Sequence, residues 1–419
     1  MTTSSNRKWQ RKHWLATCLA LGLLVLLSGC WLKIIDTPRY TQDTFYYCGA
    51  ASAQMVLDSE NLGIYVSPQS DIYNYIHSHN ICTGWASDPE GLKDALNHYA
   101  AGAAWFNWYA PLDQDSANNK LAYTIDYYGV PPVALIYGSA HWVVVSGVYT
   151  SNQPTSAPAY DIYAFYVNDP WYGTTTLGED RYIDIRTWND DIFTGGSWCG
   201  APGSPRYISV VDPDPPTRAK VSYPAMLKRR TSVFKPEEIR QMASQFLEKI
   251  LASKELTNHY SEETIKNLSV ATIGEPKLVT RLDKKMDAYY TVPLMAANQK
   301  QNSMVQGAVL YDAYSGQFRE MSVVEDPVSY IMLDNRDYAL KTFYSKFDPQ
   351  GKSVRQLTAF ELVWEPSEQS RSPYHPLWQA KGTTAYTKTP VVLAYMSQSG
   401  ELTKTLTPLA ESKLKGGSK

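Results

Sequence analysis

The chain predicts an α+β protein built in two parts, each with helix leading and antiparallel sheet following. Three observations carry this reading. The length of 419 residues exceeds one ordinary core. Between residues 48 and 211, apolar positions recur first at helical spacing and then in strand-like runs. Beyond a stiff break at Asp212-Pro213-Asp214-Pro215-Pro216, a long amphipathic helix and a set of hairpins repeat the order.

At the N-terminus, Arg7, Lys8, Arg11 and Lys12 precede an apolar run from Leu15 to Leu27, closing on Leu27-Ser28-Gly29-Cys30. Residues 1–29 therefore read as a signal peptide and are set aside from the fold. Residues 30–41 are expected to be a short tether, and residues 42–211 the first domain. In that domain a helix is predicted from Cys48 to Ser59, and a second from Asp71 to His79 with Ser70 as N-cap. A third runs from Pro89 to about Tyr99 with Asp88 as cap, and a fourth from Asp115 to Tyr128. Strands follow over 132–137, 141–149, 160–167, 181–185 and 206–211. Residues 212–232 are the expected linker. The second domain, 233–410, opens with a helix at Pro236 whose Ile239, Met242, Phe246 and Ile250 share one face. Strands are predicted over 277–282, 288–295, 304–312, 317–324, 391–397 and 401–406, with a hairpin turn at Asp312–Gly316. Residues 411–419 are expected to be a disordered tail.

A net charge of −2 hides an asymmetry. Residues 31–225 hold 9 Lys+Arg against 20 Asp+Glu, a balance of −11, and residues 226–419 hold 26 against 21, a balance of +5. An acidic front half argues against nucleic acid as a partner. It suits a basic peptide, or docking of the basic second half, or simply two solvated surfaces of unlike charge.

The residues with most chemical potential lie at element ends. Cys48 begins a helix, where unpaired backbone N–H groups and the positive end of the helix dipole favour thiolate, the nucleophilic form. Gly49 beside it leaves room for a substrate backbone, and Gln42 is a neutral donor able to hold an oxyanion. His141 stands at the mouth of the strand Trp142-Val143-Val144-Val145, and Asp169 follows another strand in Asn168-Asp169-Pro170. A nucleophilic cysteine needs a base and a group to orient it. The blander readings are a buried structural cysteine, a satisfied core histidine and a turn aspartate. Asn168 is the alternative orienting group. Zinc ligands at usual spacing, phosphate-binding glycine loops and a hydrolase serine elbow are all lacking.

Four pieces in order resemble the papain-like cysteine peptidases, within them the double-glycine leader peptidases of cysteine peptidase family thirty-nine. They are Gln42-x5-Cys48-Gly49-Ala50-Ala51-Ser52, Trp85-Ala86-Ser87-Asp88-Pro89-Glu90-Gly91-Leu92, Pro131-Pro132-Val133 leading to His141-Trp142-Val143, and Asn168-Asp169-Pro170. The resemblance spans residues 38 to 212 and departs from the family in a polar Ser151–Pro158 insert. It implies Cys48 as nucleophile, His141 as base, Asp169 as orienting group and Gln42 in the oxyanion hole. It also implies a papain-like domain in which helices carrying the cysteine pack on a sheet carrying the base. No metal or organic cofactor is implied, and the substrate would be a peptide or protein.

Leu27-Ser28-Gly29-Cys30 resembles the bacterial lipobox, implying lipidation of Cys30 and a membrane anchor. Trp31, in the place where aspartate would retain such a protein, points to the outer membrane, facing periplasm or cell surface. With Cys30 lipidated and Cys48 nucleophilic, Cys82 and Cys199 are left as a disulfide pair or two thiols, according to whether their Cα atoms come within about 7 Å. The expectation is a membrane-anchored cysteine peptidase. The alternatives are an inactive peptide-binding lipoprotein, or an envelope amidase or acyltransferase using the same triad.

Overall fold

A computed structural model describes residues 30–171, 177, 181–212, 220–253, 260–284, 287–297, 303–387 and 389–409. The leader 1–29, the prolines of 213–216 and the tail 411–419 lie outside the described residues. The chain is mixed α+β, with helices first and then a large, mostly antiparallel sheet.

Helix α1 (Cys48–Leu57) is buried from Gly49 to Leu57, which its small residues allow, because Ala50, Ala51 and Ala53 let its backbone lie close to its neighbours. Helix α2 (Gln69–His79) begins earlier than expected, so Ser70 is inside the first turn and Pro68 occupies the cap position. Gln69 explains the shift: its side chain accepts from Asp43 N (3.0 Å) and donates to the Thr41 carbonyl (2.9 Å), tying the helix start to the segment before Cys48. Helix α3 (Pro89–Ala100) starts where its cap predicts. Asp88 Oδ1 accepts from Gly91 N at 2.8 Å, and Oδ2 accepts from Ile81 N and Cys82 N at 2.6 and 2.8 Å. After the short strand β2 (Asn107–Tyr109), helix α4 (Gln114–Tyr123) continues as a π-helical turn to Tyr128.

Strands β3 (Val133–Ile136) and β4 (His141–Thr150) form a hairpin in which Ile136 opposes His141. Strands β5 (Ala159–Asn168) and β6 (Arg181–Asp184) extend the sheet antiparallel from β4. β4 is buried along its whole length because both faces are covered. Trp142 and Val144 pack with residues of α1, α2 and α3, while Val143 and Val145 pack with Ala117, Leu121 and Ile125 from the α4 side. The two-residue period of the strand sorts them.

The tether expected over 30–41 is partly a strand. Residues Trp31–Ile34 (β1) pair antiparallel with β4, Trp31 against Thr150 and Ile34 against Gly147. Leu32 and Ile34 pack against the core formed with the helix Pro236–Ala252, and that burial draws the segment onto the sheet. In the expected linker, Lys220–Ser222 pairs parallel with β5.

The two parts share one sheet. β6 pairs antiparallel with the strand Phe318–Ser329, Ile183 against Glu320 and Tyr182 against Met321. Asp191 of the first part meets three cations of the second: Arg281 at 2.9 Å, Lys284 and Arg319. Sequence reading missed the helix Arg336–Phe347 and the strand Val354–Trp364. The long strand Phe318–Ser329 also runs past the expected end at 324.

Asp88→Ala removes a helix cap and orphans two further N–H groups next to it. We expect a loss of about 3 kcal/mol in chemical denaturation, with α3 and the 81–88 segment losing amide-exchange protection first.

Candidate active site

The thiol of Cys48 sits on the first turn of α1. No side chain caps that helix, so its leading N–H groups are left to whatever occupies the cleft. Across from it, β4 delivers His141. The hairpin turn that aims the histidine holds three successive residues in the left-handed region: Tyr137, Gly138 and Ser139, with φ of 52°, 65° and 71°. It is pinned from outside by Tyr137 N to the Ile192 carbonyl (2.8 Å) and Gly138 N to Thr194 Oγ1 (3.2 Å), and closed on itself by Ala140 N to the Ile136 carbonyl (2.7 Å). A non-glycine backbone kept in that region is costly and persists only where its surroundings insist on it.

His141 Nε2 lies 2.7 Å from Asp169 Oδ1, with both side chains shut off from solvent. Asp169 is held by Trp171 N, which donates to the same oxygen at 2.9 Å. This leaves Nδ1 for the Cys48 thiol. Burial pushes that thiol up, but the His141 hydrogen bond and charge, the Trp142 backbone N–H and the Arg371 charge together bring it below its ordinary value. Burial likewise works against a charged His141, yet Asp169 and the Cys48 sulfur carry it up to about 9. Asp169 is held below the usual carboxylate range by His141 and Arg181 despite its burial. The charges around the pair favour thiolate over thiol on Cys48 and imidazolium over imidazole on His141.

Behind Asp169 the chain of charges continues. Arg181 Nη1 is 3.7 Å from Asp169 Oδ2, while its Nε and Nη2 donate to Glu320 Oε2 at 2.9 and 2.7 Å. Arg181 is buried at 0 % exposure and Glu320 at 1 %, so neither charge is screened by water. Glu320 comes from the second part, which thereby balances a cation standing directly behind the first part's aspartate.

The structure brings Cys48, His141 and Asp169 together and separates the other sequence candidates from them. Asn168 turns away, its Nδ2 donating to the Thr37 carbonyl at 3.0 Å. Gln42 is buried beside the site, and its backbone N–H bonds the Pro170 carbonyl at 2.7 Å. Its Nε2, however, donates to the Thr44 carbonyl at 2.7 Å, and Gln42 does not line the cleft that holds Cys48. The expected open space at Gly49 is also filled. A Cβ there would stand 2.5 Å from Ser87 Cβ, so the glycine makes room for Ser87 rather than for substrate. Cys82 and Cys199 form a disulfide, with Cα atoms 5.9 Å apart. It fastens the segment Trp85–Ser87, one wall of the cleft. Cys30 leads into β1 and packs against the core beneath Pro236–Ala252.

Sequence reading missed Arg181, Glu320 and Arg371, and gave no role to Ser87 within the Trp85–Leu92 piece. Ser87 was within reach, since it directly precedes the Asp88-Pro89 cap. Arg181, Glu320 and Arg371 carry no local signal, because long-range pairing alone brings them to the site.

Residues 34–192 match the model of the Peptidase_C39 like family. No curated protein and no solved structure matches the chain.

Replacing Glu320 with Gln leaves the Arg181 charge acting on Asp169 alone, so Asp169 supports the imidazolium less. His141 should titrate near pH 9 in the wild type and clearly lower in Glu320→Gln, followed by its ring resonances in NMR. The linkage sign agrees. A histidine raised from 6.5 to about 9 gives stability that is full below 6.5 and fades as pH rises through 9. The fade should begin earlier in the variant.

Proposed function

We propose that this chain, with its papain-like C39-like domain over residues 34–192, is a cysteine peptidase using Cys48, His141 and Asp169. The observation that supports this best is the buried 2.7 Å contact of His141 Nε2 with Asp169, which leaves Nδ1 to a thiol held below its ordinary value. The Cys48 thiolate attacks a peptide carbonyl carbon, and the resulting oxyanion accepts hydrogen bonds from the first-turn N–H groups of α1. The His141 imidazolium gives its proton to the leaving amine, and the C–N bond breaks to leave a thioester. Water, losing a proton to His141, attacks the thioester; the acid departs and the thiolate–imidazolium pair returns. Gln42 supports the oxyanion in this scheme only by turning its amide from the Thr44 carbonyl. Its present bonds suit it better to holding the Thr44 segment ahead of Cys48.

Iodoacetamide alkylation of the protein, mapped by mass spectrometry over a pH series, tests the pair. Cys48 should react at pH 6–7, and His141→Ala should slow it roughly ten- to hundredfold by returning the thiol toward its ordinary value. A Cys48 rate indifferent to His141 sinks the reading. On a cleavable peptide, Cys48→Ala should lower kcat/KM by about a thousandfold or more.

In this proposal the protein is also lipid-anchored through Cys30. Because β1 begins at Trp31, the anchor would hold the sheet close to the bilayer. Intact-mass measurement of the membrane fraction should show residues 1–29 removed and acyl mass on Cys30. Cys30→Ser should release the chain to the soluble fraction.

A further inference from the structure

One end of the sheet carries the reactive groups, and the other carries apolar surface with no part in them. His141 opens β4 and Asp169 follows the last residue of β5, so both stand at the cleft end. Thr150 closes β4 at the far end, roughly 30 Å away at strand spacing. There Trp31 pairs with Thr150, and Cys30 precedes it. Thr150 also faces Ile162 of β5, and the neighbouring Asp161 accepts from Ser222 Oγ. From Ser222 the chain runs past the end of β6, where Arg186 Nη2 donates to the carbonyls of Pro224 and Ala225, the latter at 2.7 Å. It is fastened again at Arg230, whose N–H donates to the Tyr314 carbonyl (2.8 Å) and whose guanidinium lies 3.5 Å from the Phe234 ring centroid. Every residue between these fastenings is exposed, with Met226 at 73 % and Leu227 at 40 %, followed by Lys228 and Arg229.

A single apolar side chain in water needs no explanation. This pair differs, because bonds on both sides hold it out from the protein instead of leaving a slack chain to fold it in. Trp31, at the same end, is 37 % exposed, and its Nε1 donates to Asp126 Oδ1 at 2.8 Å. An indole with its N–H satisfied, near apolar side chains flanked by Lys and Arg, suits the boundary between lipid and water. Arg229 and Arg230 pair with Asp287 and Glu238 at 3.0 and 3.2 Å, so they add little net charge. Attachment therefore rests on the apolar side chains, with Lys228 at headgroup level. The occupant follows from where the rest of the chain joins. The apolar run Leu15–Leu27 leads into the fold at Cys30. Whether that run is kept or gives way to acyl groups on Cys30, the bilayer is met at this end.

We propose that Met226, Leu227 and Trp31 form a membrane-contact surface that seats the far end of the sheet on the lipid interface and turns the Cys48 cleft toward the aqueous space. One attachment at Cys30 leaves the orientation of the sheet free, and a second contact fixes it. This rests on the bilayer lying at residue 30, and needs neither lipidation of the cysteine nor the peptidase reaction.

The test replaces the leader 1–29 with a hexahistidine tag and holds the protein on vesicles of phosphatidylethanolamine and phosphatidylglycerol that carry a nickel-chelating lipid. Amide exchange over residues 224–232, followed by mass spectrometry, should slow about tenfold on the vesicles relative to the free protein, as expected for partial burial of two apolar side chains. Exchange over residues 81–88, at the cleft end, should not change. Met226→Asp with Leu227→Asp should abolish the slowing and leave Cys48 alkylation by iodoacetamide at its wild-type rate, which reports an intact fold. Leu227→Ser alone should lose part of the slowing, and it takes the place of the double variant where that alkylation rate is not kept. The proposal is overturned by exchange over 224–232 within twofold of the free protein, or by slowing that survives the substitutions. Slowing that appears without lipid at raised protein concentration also overturns it, and assigns the surface to a second copy of the chain. Absence of acyl mass on Cys30 removes the lipid anchor and leaves this result standing, while a Cys48 rate indifferent to His141→Ala removes the peptidase reading alone.

Discussion

The structure turns on a row of buried charges that starts at the Cys48 sulfur and passes through His141, Asp169 and Arg181 to Glu320. Each member alone would be expensive to take out of water, and each is tolerable because its neighbours carry the opposite sign. The order matters as much as the pairing. Arg181 alone behind Asp169 would repel the imidazolium that Asp169 attracts. Glu320 on the far side of Arg181 offsets that repulsion. A sulfur at one end of the row is thus tied to a strand nearly three hundred residues further along the chain.

That dependence explains why the sheet runs unbroken between the two parts. Pairing of β6 with Phe318–Ser329 sets Arg181 and Glu320 on neighbouring strands, where their side chains meet without long flexible stems in solvent. A loosely linked second domain would leave Arg181 with Asp169 at 3.7 Å in place of its two-point bond to Glu320. The Asp191 cluster does the same work with signs reversed, one aspartate of the acidic part among three cations of the basic part. There, part of the charge asymmetry legible in the composition becomes docking energy.

Local chemistry was readable in the sequence, and distant pairing was not. The helix at Cys48, the Asp88 cap, the His141 strand and the Asp312 turn each follow from a few adjacent residues, and each lies where those residues put it. Ser70 failed as a cap because Gln69 found partners at Thr41 and Asp43, residues close in space but almost thirty positions away. The tether failed for a similar reason: Leu32 and Ile34 look like a short spacer until the helix Pro236–Ala252 offers them a core. Gln42 shows the limit of spacing arguments. Six positions before the cysteine puts it beside the site, but a nearby carbonyl decides where its amide points.

Arg371 extends the same logic to the cleft. It reaches the wall beside Cys48 from the second part of the chain, and its charge is among those that bring the thiol below its ordinary value. The second part is thus more than a spacer. It supplies Glu320 behind Arg181 and a cation beside the sulfur, so excising it would remove charges that act on both ends of the row from Cys48 to Asp169.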